Sequence, residues 1–198
     1  MATGEPMSAL PRPELRYTYA DYRTWPDEVR GELIDGVFYD MSPAPALRHQ
    51  SVAGAIFSQW HRALRGKPCR PYIAPVDVLL PRAGQHDDQT GDVVQPDIFI
   101  VCDKSKLDGR FVRGTPDVVV EVLSTSTARK DQTRKLALYE SSGVREYWLL
   151  HPEDRVLTIY TQDSEAHYGR PQVLAAEGIV QLLTMQDLSV DFEEVFAE

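Results

Sequence analysis

Asp97, Glu121 and Lys135 are polar residues set where an α/β chain would otherwise bury apolar ones. Glu121 lies near the far end of the apolar run 118–123 and shares a strand face with Val119 and Leu123, because strand side chains alternate. A strand covered on both faces is apolar throughout. A charge inside one has to be exposed, paired or bound to a metal. Asp97 follows Pro96 in a second run, 93–101. If the two strands are neighbours, about 4.8 Å apart, both carboxylates can reach one divalent ion. Two carboxylates with water completing the shell is how Mg²⁺ is normally held. Such an ion acidifies bound water and neutralises charge on a phosphoryl oxygen. An ammonium from Lys135, folded back over the Glu121 strand, would orient the attacking water or stabilise the developing charge. The chemistry this trio could support is metal-assisted phosphoryl hydrolysis.

Plainer roles stand beside that one. Asp131 and Lys135 form an acid-before-base helix pair of roughly a few tenths of a kcal/mol. Asp97 after a proline equally satisfies a turn, and Glu121 equally pairs with an arginine. On the residues alone, the structural roles outweigh the catalytic one.

The elements that must position the trio lie in 114–150. The run 118–123 reads as a strand. A Ser/Thr cluster and a stretch of helix formers come next, with Asp131, Lys135 and Tyr139 in one stripe at four-residue spacing. Gly143 stops the helix, and the run 146–150 reads as a second strand. Strand, crossover helix, strand is the unit that makes a parallel pair.

Upstream, Thr18 caps a short helix that ends before Pro26. Asp35-Gly36 between two apolar stretches predicts a hairpin. Glu32 on its first arm reads as an exposed strand acid. Pro45 opens a helix over 45–66, with Val52, Ala55, Ile56, Gln59, Ala63 and Leu64 on the core face. His49, in its first turns, reads as polar surface or as a side chain capped into the fold. One strand is expected over 72–80 with Asp77 inside it. A polar, mobile loop or hairpin tip is expected over 81–92. The next strand covers 93–101, where Pro96 implies an edge or a bulge. The loop 104–114 carries Lys104, Lys106, Arg110 and Arg113, a local basic excess that a solvated loop also explains. Downstream, Pro152-Glu153-Asp154 turns between two strands, another strand is expected near 168–175, and a short strand or turn precedes a terminal helix.

The chain has 198 residues, 42% of them hydrophobic, which suits one α/β domain with a real core. Residues 1–15, rich in proline, read as a loose arm and 16–198 as the domain. The net charge of −9 argues against non-specific nucleic-acid binding as the main task. It leaves room for a metal-dependent enzyme, because bound cations offset local acids. Cys69 and Cys102 read as free thiols of a reducing cytoplasm. The N-terminus lacks the apolar core of a signal peptide, and no run approaches membrane-spanning length.

Several of these residues occur together in a known pattern. The series Glu32-Leu33-Ile34-Asp35-Gly36, His49-Gln50, Pro96-Asp97, Val120-Glu121-Val122-Leu123-Ser124, Asp131 with Lys135 and Tyr139, and Glu146-Tyr147-Trp148-Leu149 resembles the Uma2 family. That family is also called the restriction-endonuclease-like domain of unknown function and is placed in the PD-(D/E)XK nuclease superfamily. The resemblance runs in order over roughly 18–195.

The resemblance implies a mixed central sheet flanked by helices, with an N-terminal helix and hairpin. It implies a Mg²⁺- or Mn²⁺-dependent nuclease acting on nucleic acid, DNA above all, with no membrane partner and as a homodimer. Asp97 and Glu121 would hold the metal and Lys135 would be the catalytic lysine. Glu32 would be the accessory acid and His49 a histidine facing the pocket. The superfamily lysine position falls on Leu123, a departure that moves the role to the next helix, with Lys130 as the substitute should Lys135 face solvent. Pro116-Asp117 lies too close to Glu121 to be the first acid. A catalytically silent binding or assembly module on the same fold is the rival expectation, and an enzyme on another phosphate or small anionic substrate is a third.

Overall fold

The computed structural model describes residues 11–12, 14–41, 46–124 and 128–197. Its first elements are α1 (Tyr19–Tyr22), the hairpin strands β1 (Gly31–Ile34) and β2 (Val37–Asp40), and α2 (Leu47–Ala63). Five strands come next: β3 (Arg70–Ile73), β4 (Val78–Leu79), β5 (Val93–Val94), β6 (Ile98–Val101) and β7 (Val112–Arg113). Then come β8 (Val118–Val122), α3 (Ala128–Lys130), a π-helical turn over Asp131–Lys135, α4 (Leu136–Ser142) and β9 (Glu146–His151). The chain closes with β10 (Val156–Thr161), β11 (Gln172–Ala175), β12 (Ile179–Gln181), β13 (Ser189–Asp191) and α5 (Phe192–Val195).

The crossover unit forms as the sequence predicts. β8 and β9 pair in parallel, Val118 opposite Glu146 and Val122 opposite Leu150. Gly143 ends α4 at φ 88°, a left-handed position that glycine takes without steric cost. These strands lie inside a six-stranded sheet ordered β11-β10-β9-β8-β6-β3, whose other pairings are antiparallel. A second sheet, ordered β2-β1-β5-β4-β7, stands over one of its faces. On the other face, Val118, Val120, Val122 and Trp148 pack against Val52, Ile56 and Trp60 of α2 and Phe192 of α5. Alternation along β8 therefore buries 118, 120 and 122 under α2 and leaves Glu121 on the side of Val119 and Leu123.

The expected hairpin is present. Asp35 and Gly36, at φ 50° and 72°, make the tight turn between β1 and β2. Thr18 caps α1, its N–H and hydroxyl both donating to Asp21 Oδ2, at 2.8 and 2.9 Å. The terminal β13–α5 succession also matches expectation.

Both upstream strands differ from the sequence reading. The strand expected over 72–80 is two, β3 and β4, and the one over 93–101 is also two, β5 and β6. In each case the chain changes sheet midway. The breaks fall at Pro75 and Pro96, which have no N–H to give to a ladder. Pro96 thus marks a passage between sheets rather than an edge or a bulge. The polar loop 81–92 contains a 3₁₀ turn at Asp87–Gln89, and the basic loop 104–114 contains one at Lys104–Lys106 followed by β7. Of the face expected on α2, Val52, Ile56 and Leu64 are buried, Ala63 is exposed, and Ala53 and Trp60 complete the buried side. Pro45, the expected start of that helix, lies outside the described residues, as do most of the N-terminal arm and residues 125–127 of the Ser/Thr cluster.

Cys69 and Cys102 are joined in a disulfide, not free. They flank β3 and β6, where Arg70 pairs with Val101, and that antiparallel register sets the two residues beside each other. The thiol argument for a reducing compartment therefore falls. Glu146, the first residue of β9, is buried as the acceptor of four hydrogen bonds, from Trp148 Nε1, the backbone N–H groups of Leu183 and Thr184, and Thr184 Oγ1. Among the described residues no helix is long and apolar enough to cross a membrane.

Candidate active site

The β6–β8 register decides where the two acids stand. Ile98 pairs with Val120, which brings Asp97, the residue before β6, to the end of β8 that carries Glu121 and Val122. Asp97 is fixed by two donors to Oδ2, the Val122 backbone N–H at 2.8 Å and His49 Nε2 at 3.0 Å. Its side chain keeps 17% of its surface exposed. His49 reaches it from the first turns of α2 and is buried, tied into the fold rather than left as polar surface.

Glu32 is also corrected. It is fully buried rather than an exposed strand acid. Its Oε1 accepts the Gln95 backbone N–H at 2.9 Å and faces Lys135 Nζ at 2.8 Å, while its Oε2 pairs with Lys130. Lys135 is the hub: its Nζ lies 2.7 Å from Glu121 Oε1, and Asp131 Oδ1 stands 3.7 Å away. Tyr139 donates its hydroxyl to the same Glu121 oxygen at 2.9 Å. Asp131, Lys135 and Tyr139 are all buried on one side of the crossover segment, as their spacing predicts.

The π turn brings in a further residue. Lys130 and Lys135 are five apart, which on an α-helix points them about 140° away from each other. A π turn closes i→i+5 bonds and so lines up residues at that separation. Both lysines consequently reach Glu32, one at each oxygen. Spacing read as an α-helix does not show this, because the sequence of the turn carries no mark of the wider coil.

Electrostatics follow from burial. Burial pushes the Glu121 carboxyl pKa up; Lys135 opposes that, but Asp97, Asp131 and Glu32 add to it, and it ends well above the ordinary range. Burial also works to raise Glu32, yet Lys135 and Lys130 outweigh it and hold that carboxyl below its usual value. For Lys135, burial favours the neutral amine, but Glu121, Glu32 and Asp131 overcome it and push the ammonium pKa well up. Lys135 is thus a fixed cation and cannot serve as a general base at neutral pH. Among the described residues the cluster holds four carboxyls, Glu32, Asp97, Glu121 and Asp131, against two ammoniums, Lys130 and Lys135. The oxygens not used by the bonds above, Asp97 Oδ1 and Glu121 Oε2, are hard donors of the type Mg²⁺ and Mn²⁺ take. Among the described residues, no group of three or more His, Cys, Asp or Glu is arranged to hold a metal.

Of the five residues singled out in the sequence, Glu32, Lys135 and Glu121 are joined directly, and His49 and Asp97 form a second pair close enough for Asp97 to push the Glu121 carboxyl up. Tyr139 adds its hydroxyl, Gln95 its backbone N–H, and Lys130 its ammonium.

A mixed sheet flanked by helices, with carboxylates and lysine gathered on adjoining strands and the crossover helix, defines a restriction-endonuclease-like α/β protein. The fold matches a crystal structure of a "putative nuclease belonging to DUF820" from Anabaena variabilis, with a TM-score of 0.70 over 90% of this chain and 97% of that one. At 16% identity the likeness is one of fold. Residues 19–193 match the model of the Uma2 family, described as "Putative restriction endonuclease", and the chain belongs to that family. A search of curated proteins finds no match.

Proposed function

We propose that this protein is a Mg²⁺- or Mn²⁺-dependent nuclease that hydrolyses the phosphodiester backbone of nucleic acid, DNA in the first instance. The observation that supports it best is Asp97, held by the Val122 N–H next to Glu121, with Lys135 joining Glu121 to Glu32. Asp97 and Glu121 would hold the cation as a pair, with water completing its shell. When bound, that cation supplies an acidified water and charge neutralisation at the phosphoryl oxygen. His49 and the Val122 N–H keep Asp97 turned toward the cleft. Lys135 and Tyr139 hold one oxygen of Glu121, which leaves the other for the ion. Glu32 serves as the buried counter-charge that fixes Lys135.

The family's description and the fold of its relative agree with this reading. Two copies, one for each strand of a duplex, belong to the same proposal, and sedimentation would check them. A cytoplasmic location belongs to the same proposal; the Cys69–Cys102 bond is the observation that pulls the other way.

The test is cleavage of end-labelled single- and double-stranded DNA with Mg²⁺ or Mn²⁺, using Asp97→Ala, Glu121→Gln and Lys135→Ala as controls. Metal-dependent cutting by the wild type that all three variants lose is the expected result. Equal cutting by wild type and variants would mean contamination, and the assignment would be withdrawn. A second reading, a silent binding module, is favoured by one observation: the superfamily lysine position is Leu123, which is buried in the apolar core. Calorimetry with Mn²⁺ separates the two. Binding heat lost in Asp97→Ala supports the enzyme, and no heat in either protein supports the module.

A further inference from the structure

We propose that Lys130, not Lys135, is the cation that touches the substrate: it grips a backbone phosphate at the cleft, while Lys135 is an internal counter-ion. This rests on the nuclease reading above and assigns a phosphate-binding residue within it.

The two ammoniums differ in what they have left to give. An ammonium has three N–H donors. Lys135 sits between Glu121 Oε1 at 2.7 Å and Glu32 Oε1 at 2.8 Å, with Asp131 Oδ1 at 3.7 Å beyond them. Its side chain is 3% exposed. To reach a phosphate it would have to leave buried carboxylates without their cation, which is strongly unfavourable.

Lys130 stands beside the same cluster, with 13% of its side chain exposed, and among the described residues its ion pair is with Glu32 Oε2. That bond uses one of its three donors. Giving it up would strand an oxygen of a fully buried carboxylate, so Lys130 keeps Glu32 and offers a phosphate the donors that Glu32 does not take. The π turn supplies the geometry, because it carries Lys130 to the same carboxylate as Lys135 instead of the far side of the helix. Glu32 then acts as the anchor that holds the ammonium in place while its remaining donors meet a phosphate.

The experiment is fluorescence anisotropy of labelled duplex and single-stranded oligodeoxynucleotides in EDTA, titrated across salt concentration. The proteins are wild type, Lys130→Gln, Lys130→Met, Lys130→Arg and Lys135→Gln. Loss of one phosphate contact should flatten the slope of log K against log salt by about 0.9 on duplex or about 0.7 on single strands, whatever the base sequence. Lys130→Gln and Lys130→Met should both show this, and Lys130→Arg should restore it. Lys135→Gln should melt earlier yet keep the wild-type slope. Circular dichroism confirms that each variant compared is folded, and the methionine variant keeps the aliphatic stem should the glutamine variant fold poorly. If the wild type binds and the Lys130 variants keep its slope, the assignment to Lys130 is overturned and the nuclease reading stands. If the wild type binds no oligonucleotide of either form, both go together.

Discussion

Nε2 of His49 lies 3.0 Å from Oδ2 of Asp97, the same oxygen that accepts the Val122 backbone N–H. A helix turn and a sheet edge thus jointly fix the orientation of one carboxylate. In metal sites, removing a partner that orients a ligand weakens metal binding by about 10- to 100-fold. His49→Ala should reduce Mn²⁺ affinity by that amount in calorimetry while leaving the fold intact. Unchanged affinity would mean that the Val122 N–H alone suffices to hold Asp97.

Lys135→Met should be among the most damaging single changes in the chain. It leaves Glu32 and Glu121 buried without their shared cation. Breaking a buried ion pair from one side costs about 3–5 kcal/mol. Urea denaturation should show a loss of that size, and a smaller one when Glu121→Gln is already present, because one of the stranded charges is then gone.

Asp92 gives a pH signature away from the cluster. Burial raises its carboxyl pKa, against the opposing pull of the Asp35 N–H and Arg82. A folded-state pKa above the unfolded value of about 3.9 means that the folded chain prefers the protonated acid. The associated stability is complete below the unfolded value and is lost as pH rises through the folded one. Asp92→Asn keeps an acceptor for the Asp35 N–H, now 2.6 Å from Oδ1. Its stability should equal that of the wild type at low pH and exceed it near neutrality. Denaturation curves that run parallel at all pH values would contradict this.

The Cys69–Cys102 bond closes a loop with a sequence separation of 33. Chain-entropy estimates for a loop of that size give about 3–4 kcal/mol. Reductant should lower the denaturation midpoint accordingly, and the Cys69→Ala/Cys102→Ala double variant should match the reduced wild type and ignore further reductant.

Local signals were legible wherever one segment decides its own structure. The apolar runs around Glu121 and Leu149, the Asp35-Gly36 turn and the Gly143 stop specify a parallel pair and a hairpin without help from the rest of the chain. The stripe Asp131-Lys135-Tyr139 likewise shows that an acid, an ammonium and a phenol face one way. Pro96 was visible as an interruption and the break at Pro75 was missed, because the course of the chain beyond a proline depends on which partner strand is waiting, and both are changes of sheet.

Residue types and spacing determined, then, that Glu121, set inside an apolar strand, needs a partner if it is buried, because desolvating an isolated charge is prohibitive. Tertiary structure decided who the partners are. The β6–β8 pairing brought Asp97 to the end of β8 that carries Glu121, the β1 hairpin delivered Glu32 under the crossover helix, and the π turn brought a second lysine to the same carboxylate. It also brought Cys69 to Cys102, a contact fixed by strand pairing rather than by the cysteines' spacing. Each of these depends on long-range packing, and long-range packing leaves no periodic trace in the chain.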